Sequence, residues 1–139
     1  MGTTVRLSFT LDEGLAGRLE KLRRLRGYSN RSEFVRDALR NYLVREAWQE
    51  SDRPVVGTLT LVYDHHTPGL TERLTTIQHD HHGQILASTH VHLDHDTCLE
   101  VVIVKGTARE VAALADALGR ERGVLHASMC SSTTGETLR

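Results

Sequence analysis

The sequence predicts an α+β chain in two parts, a strand with two helices followed by a βαββαβ unit. Three observations carry this expectation. Apolar residues alternate with period two over residues 5–11, then recur at spacings of three and four up to residue 43. The same switching of period returns after Pro54, in the order strand, helix, two strands, helix, strand. Charge and histidine divide at that place too: residues 1–53 hold 11 Lys and Arg against 8 Asp and Glu, residues 54–139 hold 6 against 10, and all nine histidines lie in the second part. The polar stretch Gln49-Glu50-Ser51-Asp52-Arg53-Pro54 joins them, so domains of residues 1–50 and 51–139 are expected.

Composition narrows the function. With 17 Lys and Arg against 18 Asp and Glu, the chain is not a uniformly basic nucleic-acid coat. Its sequence lacks the ~18-residue apolar run of a membrane span, and the opening Met1-Gly2-Thr3-Thr4-Val5-Arg6 has no apolar targeting core, so a cytoplasmic address is expected. Two cysteines are too few for a disulfide-stapled fold.

In the first part, Val5, Leu7, Phe9 and Leu11 share one face of the expected strand, with Arg6, Ser8 and Thr10 on the other. Leu11, Leu15, Leu19, Leu22 and Leu25 line a helix that Gly27 can end in the left-handed conformation. Asn30 can cap a second helix, with Glu33 reaching back as in a capping box, and Phe34, Val35, Ala38, Leu39, Tyr42 and Leu43 form its stripe. A lone strand leaves both backbone edges unpaired, so a second copy must supply the pairing. The resulting two-stranded ribbon would present Arg6, Ser8 and Thr10 of each chain to a DNA major groove, where arginine can hold guanine. Amides near Ser29 and Asn30 suit a flanking phosphate. Residues 6–43, with the turn Gly27-Tyr28-Ser29-Asn30-Arg31-Ser32-Glu33, resemble a ribbon-helix-helix DNA-binding domain.

In the second part, residues 55–63 read as a strand, and Thr67-Pro68 as cap and first position of a helix carrying Leu70, Leu74 and Ile77. Residues 85–93 and 98–104 form a hairpin about the polar turn 94–97. Thr107 and Glu110 make a capping box for a helix carrying Val111, Leu114, Ala115 and Leu118, and residues 124–130 are a last strand. The order βαββαβ is ferredoxin-like, with both helices on one face of a four-stranded sheet. Residues 131–139 read as a tail.

Chemistry concentrates in residues 90–98. His90 and His92, two apart on a strand, project together, and Cys98 returns near His92 across the hairpin. Two imidazoles and a thiolate suit Zn, Ni, Co or Cu rather than Mg or Ca. A fourth donor could be His95, Glu100, or a histidine of the run Gln78-His79-Asp80-His81-His82, and coordination geometry would separate tetrahedral Zn from square-planar Ni or Cu. His79, His81 and His82 also suit a helix C-terminus electrostatically. His65, His66 and His126 read as surface residues with at most weak metal binding, and Cys130 as a small hydrophobe. Glu33 and Asp37, one helical turn apart, read as a solvated face with cation binding as the alternative. An enzyme using Cys98 as nucleophile is disfavoured, because the histidines exceed what one base and one orienting group require.

Taken together, these residues closely resemble the nickel-responsive transcriptional regulators of the NikR family, over nearly the whole chain. The resemblance implies an ACT-like regulatory domain that assembles a homotetramer, a dimer of dimers, with one square-planar Ni(II) per subunit. It implies His90, His92 and Cys98 as ligands from one subunit and His79 from a neighbour. Arg6, Ser8 and Thr10 would read an inverted-repeat double-stranded operator; Ser8 stands where threonine is often found. Glu33 and Asp37 match the family's carboxylate pair beside the DNA-binding domain. Nickel would promote operator binding and repress uptake genes. A ribbon-helix-helix regulator sensing another transition metal, or an amino acid through the ACT-like domain, is the alternative.

Overall fold

Asp12 opens the first helix, α1 (Glu13–Leu25), its Oδ1 accepting the Leu15 amide at 2.9 Å. In this computed structural model, which describes residues 2–50 and 52–138, the helix closes at Gly27 (φ 76°), where the Tyr28 amide reaches the Arg23 carbonyl at 3.0 Å. The second helix, α2 (Arg31–Gln49), starts at Asn30, whose Oδ1 accepts the Glu33 amide at 2.9 Å. Glu33 accepts the Ser29 hydroxyl at 3.3 Å. At the turn, Arg23 donates to the Tyr28 carbonyl at 2.8 Å, Glu20 accepts from Arg23 and Arg31, and the Tyr28 and Phe34 rings meet edge to face at 5.3 Å.

Residues 5–11, expected as a strand, form neither helix nor paired strand in the single chain. The reason is physical: a strand exists through its ladder, and this part of the chain holds no second strand. Its apolar side chains stay open, Leu7 at 80 % and Phe9 at 62 % exposure, and α1 buries none of its residues.

The chain divides into two compact units, residues 1–43 with 135–139 and residues 44–134. This differs from the expected division at residue 50. The last turn of α2 belongs to the second unit, where Ala47 is in the core and Trp48 packs against it. Trp48 Nε1 donates to the Ser132 carbonyl at 2.8 Å. Gly57 makes room for the indole, since a Cβ there would lie 2.8 Å from the Cys130 carbonyl oxygen and 3.1 Å from Trp48. Ser51 of the expected linker and Arg139 of the expected tail lie outside the described residues.

The second unit runs β1 (Pro54–Asp64), α3 (Leu70–Asp80), β2 (Ile85–His92), β3 (Thr97–Thr107), α4 (Ala108–Gly119) and β4 (Val124–Ser132), the expected βαββαβ order. All pairs are antiparallel, in the order β2-β3-β1-β4. Alternate residues of the central strands form the core: Val55, Leu59, Leu61 and Tyr63 of β1 with Cys98, Val102 and Val104 of β3. Leu70 and Leu74 of α3 and Val111, Leu114 and Leu118 of α4 complete it. The Thr107–Glu110 capping box is present in both directions. Thr67 does not cap α3. Its hydroxyl donates to Asp64 Oδ2 at 3.1 Å, and the helix begins three residues later, after Gly69 in the left-handed conformation (φ 72°). The tail is partly ordered too: β4 extends to Ser132, and residues 136–138 form a 3₁₀ turn.

Candidate metal centre

Strand register builds the site. Cys98, at the start of β3, lies opposite Tyr63 of β1 on one side and His92 of β2 on the other, and His90 lies opposite Glu100. These residues face the side the helices cover, so the Cys98 sulfur is fully buried within the unit. Its Sγ is 3.3 Å from His92 Nδ1 and 3.4 Å from His65 Nδ1. His65 arrives from the turn after β1, its amide donating to the Asp96 carbonyl at 2.7 Å. The turn before β3 is braced in turn, Asp94 Oδ1 accepting the Asp96 and Thr97 amides, each at 2.8 Å. Those hydrogen bonds hold the Asp94 carboxyl below its usual range.

Burial pushes the Cys98 thiol up, and the charges of Asp94 and Glu100 add to the effect. Burial likewise raises the Tyr63 phenol to about 12, so it stays neutral beneath the site. Without a cation the sulfur therefore holds its proton. The donor set fits a borderline or soft ion: cis ligands at ordinary Zn–S and Zn–N lengths stand about 3.1 Å apart in a square and about 3.6 Å in a tetrahedron, and both observed separations fall between.

Among the described residues, two groups converge closely enough to hold a metal, and the first is His65, His92 and Cys98. Two expected donors, His92 and Cys98, thus meet. His90 stands next to them, its ring 5.3 Å from that of His92 and 5.9 Å from Tyr63, but outside the convergent group. His79 lies in the last turn of α3, its ring 6.2 Å from His82, and is not brought to Cys98 within the chain. Glu100 is engaged by Gln78, whose Nε2 donates to Oε1 at 2.9 Å. His81 and His82 set Nδ1 against the Ile77 and His79 carbonyls at 2.8 and 3.1 Å, as residues at a helix end do. His65 was readable only with the β1–β3 register, because pairing Tyr63 with Cys98 places the residues just after β1 beside the sulfur.

In the first unit, Arg6, Ser8 and Thr10 are exposed. Ser29 and Asn30 sit at the start of α2, with Asn30 Nδ2 donating to Ser29 Oγ at 3.5 Å. Glu33 and Asp37 do not converge on one point: Asp37 accepts the Tyr28 hydroxyl at 2.7 Å and pairs with Arg40 at 3.5 Å, while Glu33 holds Ser29.

Comparison with known families agrees with this architecture. Residues 56–131 match the NikR C-terminal nickel-binding domain, and residues 5–46 match the ribbon-helix-helix protein, copG family. A "Putative nickel-responsive regulator" of Nitratidesulfovibrio vulgaris strain Miyazaki F is 48% identical over 138 residues, covering 99% of both chains. A protein of the same description from Geotalea uraniireducens is 47% identical over the same span, again 99% of each chain. An uncharacterized protein of Thermotoga maritima is similar in fold over 56% of this chain and 96% of its own, with a TM-score of 0.51 at 16% identity. With its two domain matches in order and nearly half its residues shared end to end, the chain belongs to the family of nickel-responsive regulators and is a DNA-binding transcriptional regulator rather than an enzyme.

Proposed function

We propose that each chain holds one Ni(II) through His90, His92 and Cys98, with His79 of a neighbouring subunit as fourth donor. The observation that carries this is the buried Cys98 sulfur, 3.3 Å from His92 Nδ1 within the span matching a nickel-binding domain. When bound, the ion supplies a charge centre that several donors satisfy at once. His79 lies away from Cys98 in its own chain, which favours donation between chains and hence a tetramer, a dimer of dimers. Exposed Leu7, Phe9, Leu15 and Leu22 support pairing of the first 50 residues with a second copy, to form the ribbon that carries Arg6, Ser8 and Thr10. In this reading Ser29 and Asn30 contact phosphate, the operator is a double-stranded inverted repeat, and the regulator represses nickel uptake in the cytoplasm. No helix among the described residues is long and apolar enough to cross a membrane. Glu33 and Asp37 would bind a second cation only after giving up the donors they now hold.

The close approach of His65 to Cys98 favours a second ligand set in which it replaces His90. Cys98→Ser should abolish tight nickel uptake and its sulfur-to-metal absorption band; unchanged stoichiometry and spectrum would refute the site. His90→Ala and His65→Ala then discriminate the two sets, since only the true ligand alters the band. Mixing His79→Ala with His90→Ala chains should restore part of the binding if donors come from two subunits.

A further inference from the structure

Arg23 stands apart from the other cations of α1. Arg18, Lys21 and Arg24 are exposed, whereas the Arg23 side chain is 17 % exposed and turns toward the residues that follow the helix. Its backbone carbonyl accepts the Tyr28 amide at 3.0 Å and its Nη1 donates to the Tyr28 carbonyl at 2.8 Å, so one residue holds Tyr28 at both ends. We propose that Arg23 is the positioning residue for the phosphate contact of Ser29 and Asn30, on which reading this role rests, and that it sets the direction of the amide that meets the DNA backbone.

Peptide geometry carries this role. The Tyr28 carbonyl and the Ser29 amide belong to one planar trans peptide group and point opposite ways, so a donor that fixes the first also fixes the second. A charged donor on the carbonyl polarises the group as well, and strengthens its N–H as a donor. Among the described residues no acceptor takes the Ser29 amide, and Ser29 and Asn30 are both exposed. The peptide needs such a hold, because it follows Gly27 at φ 76°, the residue with the widest backbone freedom. The other restraints act on the Tyr28 side chain, its hydroxyl donating to Asp37 at 2.7 Å and its ring meeting Phe34, and neither touches the carbonyl.

Glu20 holds the arginine in turn. Its Oε2 accepts Arg23 Nη2 at 3.1 Å and Nε at 3.3 Å, and its Oε1 accepts Arg31. Arg31 and Arg23 together keep the Glu20 carboxyl below its usual range, so the pairing persists at neutral pH. The Arg23 guanidinium is thereby directed at Glu20 and the carbonyl, and acts on DNA through the peptide rather than by its own charge.

The test uses the full nickel-loaded protein, an inverted-repeat duplex that it selects from a random pool, and a random-sequence duplex. A hydrogen bond to a charged group corresponds to about 10–100-fold in affinity, so Arg23→Met, which keeps the stem and removes the donors, should weaken binding by about that factor. The loss should be equal on both duplexes, because a phosphate contact carries no base information. The slope of log affinity against log salt should stay that of wild type; a slope shallower by about 0.9 per chain would make Arg23 itself a phosphate contact and overturn the positioning role. Arg24→Met removes the same charge from an exposed position and should change affinity less than about threefold at physiological salt, and an equal loss there would overturn the role too. Arg23→Lys returns a charged donor to the carbonyl and should recover most of the loss, and nickel uptake without DNA should be unchanged in every variant. Methylphosphonate placed at each flanking phosphate in turn separates the two readings. Wild type should lose affinity at one such position in each half-site, and Arg23→Met should lose little more there. Indifference of wild type to every substitution removes the phosphate contact of Ser29 and Asn30, and the positioning role with it. A wild-type response with an undiminished Arg23→Met loss on the substituted duplex leaves the contact standing and shows that Arg23 does not position it.

Discussion

Glu100 is the buried charged residue of the second unit's described core, at 8 % exposure, and Gln78 of α3 donates to its Oε1 at 2.9 Å. Gln78→Ala removes that donor and leaves the carboxylate facing the helix-covered side without it. A hydrogen bond to a charged group contributes about 1.5–3 kcal/mol. Alanine returns at most about 0.7 kcal/mol through its better helix propensity. The net loss should be about 1–2.5 kcal/mol, or roughly 5–15 °C in Tm for a domain of this size. Because oligomerisation contributes to apparent stability, urea unfolding should be compared at one fixed protein concentration. A double-mutant cycle with Glu100→Leu isolates the pair, since Gln78→Ala should cost little once the carboxylate is gone. Equal losses in both backgrounds, or a Gln78→Ala transition coincident with wild type, would refute the reasoning. Glu100 stands two residues from Cys98 and opposite His90, so nickel affinity should also fall, by about 10–100-fold.

Nickel uptake should strengthen with pH, because burial holds the Cys98 thiol above its ordinary range and the ion must displace that proton. Between pH 7 and 8.5 the affinity in competition titrations should rise by up to about tenfold per unit, and a flat profile would exclude the thiolate as ligand. Gly57→Ala should unfold more easily by about 1–3 kcal/mol in urea, since its Cβ meets a backbone carbonyl as well as the Trp48 ring, and a neutral effect would show that α2 can shift. Thr107→Ala breaks the capping box of α4 and should cost about 0.5–2 kcal/mol, read as a lower urea midpoint. Arg6→Ala should weaken operator binding by about 1–3 kcal/mol and relax base choice, measured by titration against operator and random DNA; equal losses on both would assign Arg6 to phosphate.

Periodicity in the sequence was sufficient for the element types of the second unit and for its core, because burial on one face of a strand or helix is written directly as spacing two or three to four. It was sufficient for the Thr107–Glu110 cap and the Asn30 cap, which depend on neighbours within three residues. It also brought His92 and Cys98 together, since a hairpin fixes its own register. It misplaced the start of α3, where the Thr67 hydroxyl turns to Asp64, and it did not reveal that Ala47 and Trp48 at the end of α2 pack with the sheet. Both outcomes depend on groups distant in sequence or on competition between partners, which local spacing does not encode.

The sequence by itself determined the order of elements in the second unit, their inward faces and the residue types able to hold a transition ion. Only the tertiary structure decided that β3 lies beside β1, and so that Tyr63 faces Cys98 and His65 reaches the sulfur. It likewise decided that His66, His95 and Asp96, from two turns some thirty residues apart, converge. The pairing of nonadjacent strands follows from which arrangement buries the most apolar surface with every central backbone group paired, a property of the whole chain that no single window of sequence contains.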